Sequence, residues 1–382
     1  MIKLIEIYGI GFPNKGAELM LYAIVDQLRK QYGDDIAICC QPWQSHIDGY
    51  RTLGHKNILQ LGSLTFKGMD VSFLFNFLPL KLLKTFGISR PKDVDLVLDA
   101  SGLRYSDSWG INAAKKSLKK YKKLVKKGKN FILMPQAFGP FENQELAKVI
   151  QEIVGLSSLC FPRDIVSYSN IIKICGESDK IVQFPDFTNL ASPLSDHETD
   201  YLQDRVMVIP NQRMLDKTDS SVSNNYYNFL LNAAKYILKK GENLVILNHE
   251  GVEDFNICKR LSSDLGGVEV FNHWNPLSVK AAIGRVKLLV SSRFHGCVSG
   301  LSQGIPVVTT SWNHKYEMLM EEYGIKNNTI SITNEIDYYK AIDDALKLEQ
   351  KEKVIINSKR FKIKSKEMWK LVFDFINTNL KS

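Results

Sequence analysis

An arginine and a histidine two residues apart, in Ser291-Ser292-Arg293-Phe294-His295-Gly296, follow directly on the apolar run Val286-Lys287-Leu288-Leu289-Val290. A guanidinium grips carboxylate or phosphate through a planar fork, and an imidazole moves protons near neutral pH. Gly304-Ile305-Pro306-Val307-Val308 reads as a turn into another buried strand, so residues 297–303 are expected to be a helix whose N-terminus faces the same side. Strand end, cationic pair and helix N-terminus together make an anion site with a proton carrier in it. An isolated Arg-x-His is more often an ion-paired arginine beside a capping histidine. Its place after a strand is where open α/β sheets bind ligands.

Further groups stand at comparable places. Pro210-Asn211-Gln212-Arg213 closes one strand and His249-Glu250 closes the next. Arg213 is by itself as readily a surface arginine, but converging with Arg293 and lacking a carboxylate it would be repelled, so an anionic ligand is the expected compensation. Near the amino end, Tyr8-Gly9-Ile10-Gly11-Phe12-Pro13-Asn14-Lys15-Gly16-Ala17-Glu18 joins a strand to a helix. This is not a dinucleotide fingerprint, because Asn14 stands where G-x-G-x-x-G requires glycine and Pro13 stiffens the loop. The glycines still suit close approach of a ligand to the backbone. Asp99-Ala100-Ser101-Gly102 and Met134-Pro135-Gln136-Ala137-Phe138-Gly139-Pro140 end two more strands, as ordinary turns or as contacts to a substrate.

The elements that must position these groups alternate strand and helix throughout, which means doubly wound parallel sheets. The 382 residues exceed what one core usually serves. Residues 1–190 are expected to form one Rossmann-like domain, 191–204 a linker and 205–357 a second Rossmann-like domain. Residues 358–382 form a last helix that can cross back to the first. Two such α/β domains facing each other across a cleft constitute the glycosyltransferase-B type of fold.

The formal charge of +9 suggests a nucleic-acid or membrane partner until the lysines are located, since nine fall within residues 115–129. There Leu118, Tyr121, Leu124 and Val125 give an amphipathic helix with a solvated basic face. Its one aromatic residue lies on the buried stripe, which argues against nucleic acid and leaves anionic lipid open. Six cysteines without C-x-x-C spacing argue for reduced thiols and against a zinc site. The N-terminal Ile2-Lys3-Leu4-Ile5-Glu6-Ile7 reads as a strand rather than a signal peptide, so a cytoplasmic location is expected. Residues 71–86 are rich in Phe and Leu but too short and too interrupted to span a bilayer. They are expected to pack over the first sheet, an interfacial anchor at the inner face of the membrane being the alternative.

These residues resemble the polysaccharide pyruvyl transferase family. The resemblance rests on Asn14-Lys15-Gly16-Ala17-Glu18, similar to the family's Asn-x-Gly-Asp-Glu, and on Gln136 to Pro140, similar to Gln-x-x-Gly-Pro. It continues with Arg163-Asp164 before Ser167, with Pro185-Asp186, and above all with Ser291 to His295 followed by Gly304-Ile305-Pro306. Ala17 and Ala100-Ser101-Gly102 depart from the family's usual Asp and Gly-Gly-Gly. The resemblance implies phosphoenolpyruvate as donor and a sugar as acceptor, usually on a lipid-linked or secreted-polymer precursor. No cofactor beyond the donor and no metal is implied. Arg213, Arg293, Phe294 and His295 would bind the donor, with His295 as acid. Asn14 and Gln136 would lie on the acceptor side, and Glu18, Asp99, His249 and Glu250 are the candidate bases. One alternative is a nucleotide-sugar glycosyltransferase of the same fold, with Glu317 holding a ribose. The other is a non-catalytic subunit of a polysaccharide assembly complex.

Overall fold

The computed structural model describes residues 4–12, 14–41, 47–67, 69–194, 197–311 and 315–380. By its contacts the chain divides into two compact units, one of Met1–Phe12, Met20–Phe187 and Lys364–Ser382, the other of Pro13–Leu19 and Thr188–Ile363.

In the first unit the strands are β1 (Ile5–Tyr8), β2 (Ile38–Cys40), β3 (Leu59–Leu61), β4 (Thr65–Phe66), β5 (Met69–Asp70), β6 (Ile88–Ser89), β7 (Leu96–Asp99), β8 (Asn130–Gln136) and β9 (Leu159–Pro162). The helices there are α1 (Lys15–Tyr32), whose first turn falls in the second unit, α2 (Ile47–His55), α3 (Leu80–Thr85), α4 (Gly110–Val125), α5 (Gln144–Leu156) and α6 (Ile165–Cys175). Seven strands make a parallel sheet in the order β6-β3-β2-β1-β7-β8-β9, and β4 and β5 form a separate antiparallel hairpin. β7 is buried along its whole length because helices cover both faces, which is why it reads as an apolar run rather than an alternation. α4 is amphipathic as its sequence requires: Ala114, Leu118 and Tyr121 are buried while most of its lysines are exposed.

The second unit carries β10 (Val206–Ile209), β11 (Leu244–Asn248), β12 (Val270–Asn272), β13 (Leu288–Ser291) and β14 (Val307–Thr309). Its helices are α7 (Arg213–Asp216), α8 (Ser220–Lys239), α9 (Gly251–Asp264), α10 (Pro276–Arg285), α11 (Phe294–Ser302), α12 (Lys315–Glu322), α13 (Glu335–Ala345) and α14 (Leu348–Asn379), which from Lys364 onward groups with the first unit. The sheet order is β12-β11-β10-β13-β14, all parallel. Chain direction across the sheet reverses at β10 and β13, the place where doubly wound sheets open a crevice at the carboxyl edge.

Two expectations need correction. Residues 191–204 are not a free linker: they group with the second unit, where Leu202 is fully buried in the core with Met207 and Leu289, and Leu194 N–H donates to the Leu277 carbonyl at 3.2 Å. The loop from Pro13 to Leu19, assigned by sequence to the first domain, likewise groups with the second, because Asn14 forms an antiparallel bridge with Glu250.

Candidate functional site

The loops at the β10/β13 reversal are tied to each other. The Asn211 side chain donates to the Ser292 carbonyl at 2.6 Å, Tyr316 Oη donates to the same carbonyl at 3.0 Å, and Ser292 N–H donates to the Ile209 carbonyl at 3.0 Å. Ser291 Oγ accepts from Arg293 N–H at 3.1 Å, which bends the chain sharply into α11. Arg293 is therefore the N-cap and His295 lies in the first helical turn, slightly earlier than the sequence suggests.

Arg293 is not waiting for an anion. Its Nε and Nη2 make a two-point contact with Asp254 at 2.7 and 2.6 Å, and Nη1 donates to Glu250. Burial alone would disfavour its charge, but Glu250 and Asp254 outweigh that and raise its pKa. Arg213 also has a carboxylate, Asp216, at 2.6 Å, in a half-exposed pair of the kind that contributes about 0–1 kcal/mol. The expectation of two guanidiniums without carboxylate partners is thus incorrect. Arg213 can leave its partner cheaply, whereas Arg293 is held by two carboxylates at the turn that carries His295.

A tighter cluster forms where the Pro13–Leu19 loop meets the ends of β11 and β13. Lys15 Nζ donates to both Glu18 oxygens at 3.0 and 3.2 Å, with both residues buried. Asn14 Oδ1 accepts from Ala17 N–H at 3.1 Å and so caps α1. Gly16 is required by contact: a Cβ there would lie 2.1 Å from His295 Nδ1. Phe294 packs edge-on against His295, ring centroids 5.4 Å apart, and against Tyr316 at 5.6 Å. His249, directly after β11, is buried, and its Nδ1 has no hydrogen-bond partner among the described residues. Burial holds its pKa well below 6.5, and the positive charges of Arg293, His295 and Lys15 push the same way. His249 is therefore held neutral, chiefly by its burial.

In the first unit the expected residues play another part. Asp99 is fully buried: Oδ2 accepts from the Tyr105 and Tyr121 hydroxyls, both at 2.5 Å, and Oδ1 from the Ser101 N–H at 3.0 Å and from the Ser101 hydroxyl. Burial and then the Asp99 charge raise both tyrosine pKa values, so these hydroxyls keep their protons and stay donors. With both oxygens engaged, Asp99 is a structural anchor and not an available base. Gln136 is fully buried, its Nε2 at 3.5 Å from the Asp99 carbonyl, so no acceptor reaches it directly. The approach to Gly9 comes from Ser101, whose Oγ would lie 2.1 Å from a Cβ there, rather than from a ligand.

The remaining sequence motifs of this unit stitch to one another. Asp164 caps α6 by accepting from Ser167 N–H at 2.8 Å, the Ser167 hydroxyl accepts from Phe138 N–H at 3.0 Å, and Arg163 pairs with Asp186 at 3.4 Å. They hold the turn after β8 in place. Lys15 and Asp254 were missed by sequence reasoning. Lys15 sat inside a recognised motif, and Asp254 follows Glu250 at the i,i+4 spacing that puts two carboxylates on one helix face.

The family model for polysaccharide pyruvyl transferase matches residues 14–314, most of the chain. The chain belongs to this family. No curated protein matches its sequence. Among solved structures it is similar to the UDP-GlcNAc 2-epimerase from Neisseria meningitidis bound to UDP-GlcNAc, with a TM-score of 0.62 at 11% identity over 97% of this chain and 99% of that one. The S. aureus MnaA-UDP co-structure gives 0.60 at 10% identity, covering 99% and 97%. A glycosyltransferase from Rickettsia africae gives 0.56 at 13%, covering 99% and 98%. Identities this low carry the fold alone, which is of the glycosyltransferase-B type.

Proposed function

We propose that this pyruvyl transferase uses phosphoenolpyruvate as donor and forms a ketal across two hydroxyls of a sugar, presented on a lipid-linked precursor of a cell-envelope or exported polysaccharide. The observation that carries the donor assignment is His249: a buried neutral imidazole with an unsatisfied Nδ1, surrounded by Arg293, His295 and Lys15. A donor anion bound there would supply the acceptor that this nitrogen lacks once His249 is protonated. Phosphoenolpyruvate presents both a carboxylate and a phosphate. Lys15, the first-turn N–H groups of α11 and a released Arg213 are the groups suited to them.

The chemistry needs one acid and one base. His295 delivers a proton to the donor's methylene carbon, the adjacent carbon gains positive character, and a sugar hydroxyl adds there as its proton passes to a base. Loss of phosphate and attack by the second hydroxyl close the ketal, the second hydroxyl's proton leaving with the phosphate. Of the candidate bases, Asp99 is held by three hydroxyls, Glu18 by Lys15 and Glu250 by Arg293. His249, neutral and with an open nitrogen, suits the role best. Glu317 stands exposed on α12, which gives the ribose-binding alternative no support of its own.

The test is incubation of the enzyme with phosphoenolpyruvate and a panel of sugar acceptors, reading phosphate release and the acceptor's gain of pyruvate less water. His295→Ala is expected to lose about a hundredfold or more in turnover with its fold intact. Near wild-type turnover in that variant would make His295 structural.

A further inference from the structure

Among the described residues, 23 large apolar side chains stand exposed, and ten of these fall within residues 64–86. Scattered singly such side chains need no explanation, but gathered in one short stretch they mark a surface that something covers. Phe77 is 78% exposed, Phe86 70%, Met69 61% and Phe66 58%. The expectation that this segment packs over the first sheet therefore holds for only a few of its residues. Leu83 is buried, and Phe75 packs on Gly62, where a Cβ would lie 2.7 Å from its ring.

Those few inward contacts make a fixed platform. β4 and β5 pair, Val71 N–H donates to the Leu64 carbonyl at 2.9 Å, Leu64 N–H to Ser72 Oγ at 3.0 Å, and Lys92 N–H to Asn76 Oδ1 at 2.9 Å. Phe73 and Phe77 meet edge to face at 6.5 Å. The same stretch carries Lys67, Lys81, Lys84 and Lys92, all exposed, with the Lys67 ammonium 5.7 Å from the centre of the Phe66 ring. Asp70 is the one acid within residues 64–92.

We propose that this platform docks on an anionic lipid surface, its rings in the boundary between headgroups and acyl chains and its ammonium groups on the headgroup phosphates. Charge decides the occupant. A second copy meeting the same face about a two-fold axis would set lysines against lysines, whereas an anionic leaflet complements them. Among the described residues no helix is long and apolar enough to cross a membrane, so the segment lies on the surface. The inference rests on exposure and charge, independently of the donor assignment, so either can fail alone.

Flotation of the full chain with phosphatidylcholine vesicles, with and without phosphatidylserine, tests it against Phe77→Ser/Phe86→Ser and Lys81→Glu/Lys84→Glu. These sites are exposed, and circular dichroism confirms that the variants fold. Binding to the mixed vesicles is expected, about tenfold or more weaker on phosphatidylcholine alone and at about 1 M salt, where the Debye length is roughly 3 Å. Each double variant should lose about tenfold or more on the mixed vesicles. The proposal is overturned by absence of flotation with phosphatidylserine, or by variants that float as the wild type does. It is equally overturned by sedimentation velocity showing a dimer that Phe77→Ser/Phe86→Ser dissolves, which would make the face a self-interface.

Discussion

Gly16→Ala puts the proposed donor site under direct strain. Gly16 lies in the first turn of α1, where alanine is ordinarily the better helix former by about 1 kcal/mol. Here the new methyl carbon would lie 2.1 Å from His295 Nδ1, 2.5 Å from its Cγ and 2.9 Å from its Cβ. His295 sits at the start of a buried helix, so either its ring or the loop must shift on the order of 1 Å to regain ordinary contact. Such a shift would break the proposed charge-assisted hydrogen bond from His295 to the donor anion, a loss of about 1.5–3 kcal/mol. That is roughly tenfold to a hundredfold in affinity for phosphoenolpyruvate. Overpacking costs about 1–3 kcal/mol, partly offset by helix propensity, so the melting temperature falls by only a few degrees. Gly155→Ala is the control: it lies in α5 with nothing within 4 Å of its Cβ position, and it should raise the melting temperature slightly and leave the donor untouched. Donor affinity from the phosphoenolpyruvate dependence of thermal stability compares the three proteins. A Gly16→Ala protein with wild-type affinity and melting temperature would refute the reasoning.

Three further outcomes follow from the same geometry. Arg293→Ala leaves Glu250 and Asp254 facing no cation and should destabilise by about 3–5 kcal/mol, read as a lower urea midpoint, with Arg293→Lys intermediate because it keeps the charge but loses the planar fork. His249 has a folded pKa well below 6.5, so above that pH it is neutral folded or unfolded, while below it the unfolded chain takes up a proton that the folded one refuses. Melting temperature should therefore fall more steeply from about pH 7 to 5 in the wild type than in His249→Gln, and saturating phosphoenolpyruvate should flatten the difference. Tyr121→Phe removes one hydroxyl from Asp99 and should cost about 1.5–3 kcal/mol by chemical denaturation while leaving donor affinity unchanged, a change in affinity being the result that would return Asp99 to the site.

The fold was legible where burial writes continuous apolar runs: β10 ends at Ile209 before Pro210-Asn211, and β13 at Ser291, where the run Leu288-Leu289-Val290 gives way to serines. α2, α13 and the β4–β5 hairpin were not, since their apolar residues are too few or too mixed to set a period. At the site, Arg293, His295, His249 and Glu250 come together as their positions after neighbouring strands imply. What could not be read is pairing. The loop from Pro13 to Leu19 joins the second unit through a bridge between residues 236 apart in sequence, and no local pattern encodes that. Nothing in the sequence sets Asp254 apart from its neighbour Glu253, and only the folded chain shows it turned inward onto Arg293. The exposure of residues 64–86 was equally illegible, because a Phe- and Leu-rich stretch reads the same whether it faces a core or a bilayer.

The most direct measurement of the central claim is isothermal titration of the full chain with phosphoenolpyruvate and, in parallel, with UDP. The account predicts saturable binding of phosphoenolpyruvate that weakens by about tenfold in Arg213→Ala and in His295→Ala, with no heat from UDP. Saturable binding of UDP with none of phosphoenolpyruvate would contradict it and make the chain a nucleotide-sugar enzyme on the same scaffold.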